Sequence, residues 1–242
     1  MKNILITGST GGIGEVTAKY LCKNGYNCIL LGRSEEKLKE LSHVLNGAQY
    51  IVFDLNNLKD IESIFTCISN KNIKLDGLVH CAGISPLLKV EENDISVMQN
   101  TFNINLFSFV ELAKYFIREK YSNENASIVA ISSVVAKVAS YRQTLYASSK
   151  AGLEEAVKCM SKEFICRKIR VNCIEPGAVR TQMLEKLTKE SSSLKEKFEK
   201  LYPLGLIDPN NIAEIVEFLL STKAKYMTGS CITADSGFLS WK

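Results

Sequence analysis

The chain has 242 residues and a mass of 26.9 kDa, the size of one α/β domain. Its 30 Lys and Arg against 26 Asp and Glu leave a net charge of +4, spread along the chain, which argues against a nucleic-acid partner. Apolar residues make up 46% of the chain and no charge-free run reaches the ~18 residues of a membrane span, so disordered and membrane-spanning classes are set aside.

The eight cysteines form no C-x-x-C pair, and the two histidines are His43 and His80, so no metal site is expected. Thiols inside apolar runs, and strand-like sequence that begins at Asn3 without room for a leader, point to a reducing, cytoplasmic setting.

Ile4–Thr7 is a short apolar run closed by glycines and reads as a buried strand. A helix over Gly14–Asn24 follows, then a strand over Asn27–Leu31 and a helix over Ser34–Leu45 with Ser34 as its N-cap. A strand over Tyr50–Phe53, a helix over Leu58–Ser69 and a strand over Gly77–Cys81 come next. A long helix is expected over Asp94–Lys120, a strand over Ser127–Ser132 and a second long helix over Thr144–Cys166. The chain closes with a strand over Arg170–Ile174, a helix over Pro209–Leu220 and a short strand over Ser230–Ala234. Strands alternating with such helices pair in parallel through right-handed crossovers, and strands apolar throughout are covered on both faces. The pattern predicts an α/β fold. It is a doubly wound, Rossmann-type parallel sheet of about seven strands in one domain, with ligands at the carboxyl ends of the strands.

Four glycines, Gly8, Gly11, Gly12 and Gly14, stand between the first strand and the first helix, with Ser9, Thr10 and Ile13 among them. Such a turn lets backbone approach a pyrophosphate, which then meets the helix N-terminus. At the second strand's tip an NAD site usually places an acid for the ribose hydroxyls; here Gly32, Arg33 and Ser34 stand there. A guanidinium can meet a 2′-phosphate, so NADP(H) is favoured over NAD(H). Asp54 after the third strand can accept from the adenine amino group or cap a helix.

Tyr146 and Lys150 share one helix face. Ser132 and Ser133 end the preceding strand at the ligand edge of the sheet. Together with Cys81-Ala82-Gly83, Asn103-Ile104-Asn105-Leu106, Val171-Asn172, Pro176-Gly177 and Thr228-Gly229, all in order, these segments make the chain resemble the classical short-chain dehydrogenase/reductases over essentially its full length. Within that family it looks most like the 3-oxoacyl-[acyl-carrier-protein] reductases.

The resemblance implies a catalytic tetrad of Asn105, Ser133, Tyr146 and Lys150. It also implies cofactor contacts from Leu55, Ala82, Gly83, Pro176, Gly177, Val179 and Thr181 beside the glycine turn, Arg33, Asp54, Tyr146 and Lys150. The chemistry follows from the residue types. A carbonyl receiving hydride gains negative charge and needs a proton. Lys150 should lower the Tyr146 pKa so that the phenol can supply that proton, Ser133 should donate to the oxygen, and Asn105 should break its helix and hold a water. A cofactor-sensing protein without turnover, or a nucleotide-sugar-modifying relative, is the alternative.

The family often has Asn-Asn-Ala-Gly where this chain has His80-Cys81-Ala82-Gly83, so His80 is expected to pack at the strand end. Glu175 is expected to face solvent. Residues 178–209 read as a substrate lid, with Met183, Leu184 and Leu187 apolar and Ile84, Pro86, Leu87, Val134 and Val138 opposite. A hydrophobic carbonyl or alcohol, or an acyl chain, suits such a pocket. Carrier-protein reductases tend to hold cations before strands five and six. Arg167, Lys168 and Arg170 fill the second place, and Asn123-Glu124-Asn125-Ala126 leaves the first without one. Two long helices rich in apolar residues predict self-association as a homodimer or homotetramer.

Overall fold

The computed structural model describes residues 1–182, 184 and 200–240. Among them, strands β1 (Asn3–Thr7), β2 (Asn27–Gly32), β3 (Gln49–Val52), β4 (Leu75–His80), β5 (Ser122–Ile131), β6 (Arg170–Pro176) and β7 (Cys231–Ala234) form one parallel sheet. The strand order is β3-β2-β1-β4-β5-β6-β7. Helices are α1 (Gly12–Lys23), α2 (Glu35–Val44), α3 (Glu62–Ser69), α4 (Ile95–Phe102), α5 (Ser108–Phe116), α6 (Thr144–Glu163) and α7 (Pro209–Leu220).

Because side chains alternate along a strand, each apolar strand feeds two cores. Leu5, Ile29 and Leu78 join Phe65, Phe109 and Phe116 on the face covered by α3, α5 and α6. Ile4, Ile6, Leu30 and Val79 join Ala18, Leu21, Leu38 and Val216 on the face covered by α1, α2 and α7. Each of these residues is at most 1% exposed, and such burial contributes about 1.5–3 kcal/mol per large side chain.

Local signals set several ends. Ser34 Oγ accepts from Lys37 N at 3.4 Å, capping α2 as its sequence suggests. Asp94 accepts from Val97 N at 2.9 Å and starts α4. Asp208 does the same for α7, with Pro209 at the first turn.

Several boundaries differ from the sequence reading by a few residues, three of them through a local irregularity. The helix expected over Asp94–Lys120 is split by a π-turn at Asn103–Phe107. Strand β5 starts at Ser122, because Leu75 pairs with Ser122 and Gly77 with Ser127 while Asn125, at φ 60°, loops out between. The second long helix ends at Glu163 and tightens into a 3₁₀ turn over Phe164–Arg167.

The apolar surplus on the long helices is also smaller than expected. Phe109, Ala113, Phe116, Leu153, Val157, Met160 and Phe164 all lie in this chain's own core. Phe107 at 45% and Val110 at 36% stay exposed. Met183 and Leu187, with the charged residues of 185–199, lie outside the described residues. No described helix is long and apolar enough to cross a membrane.

Candidate active site

After β1 the chain builds β2 and β3 on one side, then returns to β4 on the other. The tips of β1 and β4 therefore open a crevice between them. Gly8 turns there at φ 62°, and a Cβ on it would stand 2.8 Å from both N and Cα of Ala82. A side chain on Gly14 would collide with the Gly8 carbonyl. Gly11, the N-cap of α1, offers no side-chain bond, which leaves first-turn amides for an anion. Ser9 is fully buried, and both its N (3.3 Å) and its Oγ (3.2 Å) donate to Leu31 O, fastening the turn to β2. Thr10 lies against Gly32, and Thr181 Cγ2 would be 3.4 Å from a Cβ on Gly12, so Thr181 borders the same turn. Ile13 is half-buried beside it.

Arg33 is exposed, and no ion-pair partner is found for it among the described residues; Glu35 is engaged by Lys39 at 2.8 Å instead. Asp54 Oδ1 accepts from Asn56 N at 3.0 Å, so it holds its own turn, and Leu55 is buried beside it. At the far side Gly177 N donates to Ala234 O at 2.9 Å, fixing the Pro176–Gly177 corner to β7. Val179 bridges Ile207 just beyond.

The tetrad residues come from three elements. Ser133 follows β5 and accepts from Val135 N at 3.4 Å, capping the 3₁₀ turn Val134–Ala136. Tyr146 and Lys150 lie on α6, with Lys150 Nζ 5.8 Å from the Tyr146 ring centroid. Lys150 is 3% exposed and donates from Nζ to Ile131 O at 2.7 Å. Asn105 sits in the π-turn. A Cβ on Gly83 would lie 3.4 Å from Lys150 Nζ and 3.5 Å from Asn105 Oδ1, so the Ala82-Gly83 corner passes between them.

Two expectations about this set change. Asn105 is fully buried, and its amide is engaged by protein: Oδ1 accepts from Ile84 N at 2.8 Å, and Nδ2 donates to Ile84 O and to Ser149 Oγ, each at 2.9 Å. Its side chain therefore pins the Ile84 loop to α6, a structural task beyond the one expected of it. Burial pushes the Tyr146 phenol above its ordinary value, with the Ser133 hydroxyl pulling it down as the smaller effect. Burial also brings the Lys150 ammonium down, to about 8.

Five other side chains that the sequence singles out find their places. His80 is fully buried at the tip of β4, as expected, and its Nδ1 shares a hydrogen bond with Thr7 Oγ1 at 3.0 Å. Burial holds its pKa down at about 3, so it stays neutral. Burial raises the Cys81 thiol to about 12 and makes it unreactive. Glu175 does not face solvent: it is fully buried, because β7 pairs alongside it and Lys137 neutralises it at 2.6 Å. Arg167 bonds Ile117 O, Ser122 Oγ and Ser122 O, and Arg170 is 8% exposed with Nη2 on Ser221 O at 3.2 Å. Of that basic trio only Lys168 is left as an exposed cation. The sequence reading missed Thr7, which accepts from Ala82 N at 3.2 Å, and Ser149, which holds Asn105. Neither has a spacing that marks it.

A parallel doubly wound sheet with a glycine cradle at its switch point, and with Ser133, Tyr146 and Lys150 at the same edge, defines a dinucleotide-dependent oxidoreductase. A family model described as enoyl-(acyl carrier protein) reductase matches residues 8–239. The 3-oxoacyl-[acyl-carrier-protein] reductase of Rickettsia felis is 36% identical over 98% of this chain and 97% of that protein. Among solved structures, 4-hydroxyisoleucine dehydrogenase complexed with NADH superposes with a TM-score of 0.91 at 28% identity, covering 100% of both chains. ElxO with NADP bound gives 0.89 at 27% identity, covering 99% of both. The chain belongs to the classical short-chain dehydrogenase/reductase family, and it is an oxidoreductase close to the 3-oxoacyl-carrier-protein reductases.

The buried His80 has a consequence for stability. Unfolding restores its ordinary pKa of 6.5, so between pH 6.5 and about 3 the unfolded chain binds the extra proton. Stability therefore falls as pH drops through that window, by about 1.4 kcal/mol per pH unit from this residue. In urea titrations from pH 7 to pH 4, a His80→Asn variant should lose stability less steeply than the native protein. Parallel slopes for the two would contradict a buried neutral His80.

Proposed function

We propose that this protein is an NADP(H)-dependent carbonyl reductase whose general acid–base is Tyr146. The observation that carries the reading is the grouping of three side chains beside an open helix N-terminus: the Ser133 hydroxyl on the Tyr146 phenol, and Lys150 beside the Tyr146 ring and against the Gly83 backbone. A nicotinamide nucleotide bound there supplies the hydride or takes it up. Gly8, Ser9, Thr10, Gly12, Ile13 and Gly14 would hold its pyrophosphate side, Arg33 the 2′-phosphate, Asp54 and Leu55 the adenine side. Ala82, Gly83, Tyr146, Lys150, Pro176, Gly177, Val179 and Thr181 would hold the nicotinamide half.

Ser133 donates a hydrogen bond to the substrate carbonyl oxygen, which orients it and stabilises the charge it gains. Tyr146 passes its phenolic proton to that oxygen. Lys150 is anchored by the Ile131 carbonyl, and with a pKa of about 8 it remains charged enough at neutral pH to stabilise the phenolate and return a proton to it. Asn105 keeps the Ile84 loop and α6 in register around them.

A 3-oxoacyl thioester is the leading substrate class, supported by the reductases this chain is similar to and by the apolar residues Ile84, Pro86, Leu87, Val134 and Val138 beside the site. An acyl carrier protein would have to dock without the Arg167 and Arg170 side chains, since both are engaged within the fold. Eight free thiols fit a reducing, cytoplasmic setting.

Turnover can be followed as NADPH and NADH consumption against 3-oxoacyl thioesters on coenzyme A and on carrier protein, an aliphatic ketone, an aromatic ketone and a diketone. Tyr146→Phe should reduce turnover by at least the 10²–10⁴ typical of an acid–base group while leaving NADPH binding nearly intact. A variant within about tenfold of the native rate would remove Tyr146 from that role. Titration of Arg33→Ala with both nucleotides should show NADPH weakened by more than NADH, and equal losses would mean that Arg33 does not meet a 2′-phosphate.

The exposed Phe107 and Val110 on the α5 side support association as a dimer of dimers. Light scattering on the eluting protein should then give about four times the 26.9 kDa chain mass. A monomer would refute association, and a dimer would leave a single interface.

A further inference from the structure

Two glutamates lie under the Ser133 turn, and the chemistry above uses neither. Glu175 is fully buried near the end of β6. Its Oε2 takes Lys137 Nζ at 2.6 Å and the Thr233 hydroxyl at 2.6 Å, and Lys137 Nζ also donates to Thr233 Oγ1 at 3.4 Å. Its Oε1 is buried without a hydrogen-bond partner. Glu154, one turn beyond Lys150 on α6, is 7% exposed and accepts from Ser132 Oγ at 2.6 Å.

The attachment points give these pairs their meaning. Ser132 immediately precedes Ser133. Lys137 immediately follows the 3₁₀ turn that Ser133 caps. The short segment that carries Ser133 is thus gripped at both ends, by a carboxylate from α6 and by one from β6. Burying a carboxylate beside a single cation is a poor way to gain stability, since an apolar side chain of similar size does as well or better. What such a pair supplies is fixed geometry.

Ligand atoms of Glu154, Glu175 and Cys231 do lie within 4.8 Å of one another. The ammonium of Lys137 already stands where a cation would, and the Cys231 thiol bonds Cys173 across the β6–β7 pair. The cluster is therefore an internal ion pair rather than a metal site.

We propose that Glu175 and Lys137, together with Glu154 on Ser132, form a clamp that sets the Ser133 hydroxyl against Tyr146 and the substrate carbonyl. Glu175, Lys137 and Glu154 are positioning residues. The proposal rests on the catalytic reading of Ser133 and Tyr146. Misplacement of a reacting group by about 1 Å can cost up to 10² in rate, so loss of one grip should lower kcat by about tenfold. NADPH affinity should change little in Lys137 variants, because Lys137 is not among the residues that would hold the nucleotide and the glycine turn and Arg33 lie elsewhere on the sheet edge.

The test measures kcat, KM and NADPH affinity for Lys137→Met, Lys137→Arg, Glu175→Gln and the Lys137→Met/Glu175→Gln double variant, using the ketone of the panel that the native enzyme reduces fastest. Lys137→Met should lose about tenfold in kcat at unchanged NADPH affinity, and Lys137→Arg should recover most of it. The double variant should be no slower than the slower single variant, since both changes open the same grip. Native-like kcat in Lys137→Met, or losses that multiply in the double variant, would overturn the clamp. Lys137 is 43% exposed at its side chain, so if Glu175→Gln fails to fold the Met and Arg variants of Lys137 decide alone. Tyr146→Phe in the same assay separates the two readings. If it stays active, the catalytic reading and the clamp fall together. If it is dead while Lys137→Met is native-like, only the clamp falls.

Discussion

The tips of β1 and β4 meet with no room for a side chain, and the rest of the site is arranged around that contact. Gly8 can take its left-handed turn against the Ala82 backbone only because it lacks a Cβ, and Gly14 opens α1 against the Gly8 carbonyl for the same reason. Thr7 then bridges the two strand ends, accepting from Ala82 N and sharing a hydrogen bond with His80 Nδ1. The consequence is a helix that begins at the crevice with no side-chain cap on its first amide groups.

From the other side, the catalytic edge is held by polar groups that the core encloses. Lys150 hangs from the Ile131 carbonyl, Asn105 from the Ile84 backbone and Ser149, Ser132 from Glu154, and Glu175 from Lys137 and Thr233. Groups this buried are costly unless each finds a partner, so their arrangement has few alternatives. The same burial sets their chemistry. It raises the Tyr146 phenol, lowers the Lys150 ammonium and keeps His80 neutral.

Much of this is legible along the chain. The alternation of apolar runs with helices fixes a doubly wound parallel sheet, since strands such as Ile4–Thr7 must be covered twice. The glycine turn and the Tyr146–Lys150 spacing are local patterns, and local patterns survive in one dimension. The boundaries that depart from the sequence pattern have non-local causes. The long helix reads as continuous from Asp94 to Lys120, yet it opens into a π-turn where the buried Asn105 amide bonds Ile84, a residue from the loop after β4. Strand β5 reads as starting at Ser127, yet Leu75 recruits Ser122 across a bulge.

Glu175 shows the division most sharply. In sequence it is a charge beside a Pro-Gly corner, and a lone charge reads as solvent-facing. In the fold it is enclosed by β7 and neutralised by Lys137, a residue 38 positions earlier that no spacing rule connects to it. Arg167 and Arg170 change in the same way, from surface cations to donors that tie Ile117, Ser122 and Ser221 together. The sequence alone determined the sheet, the glycine turn after β1 and the Tyr146–Lys150 face of α6, because periodicity and short-range spacing encode them. The tertiary structure alone decided which charges are buried, which side chains are already engaged and which way each pKa moves. Those depend on what surrounds a group in space, and the neighbours that matter come from distant parts of the chain.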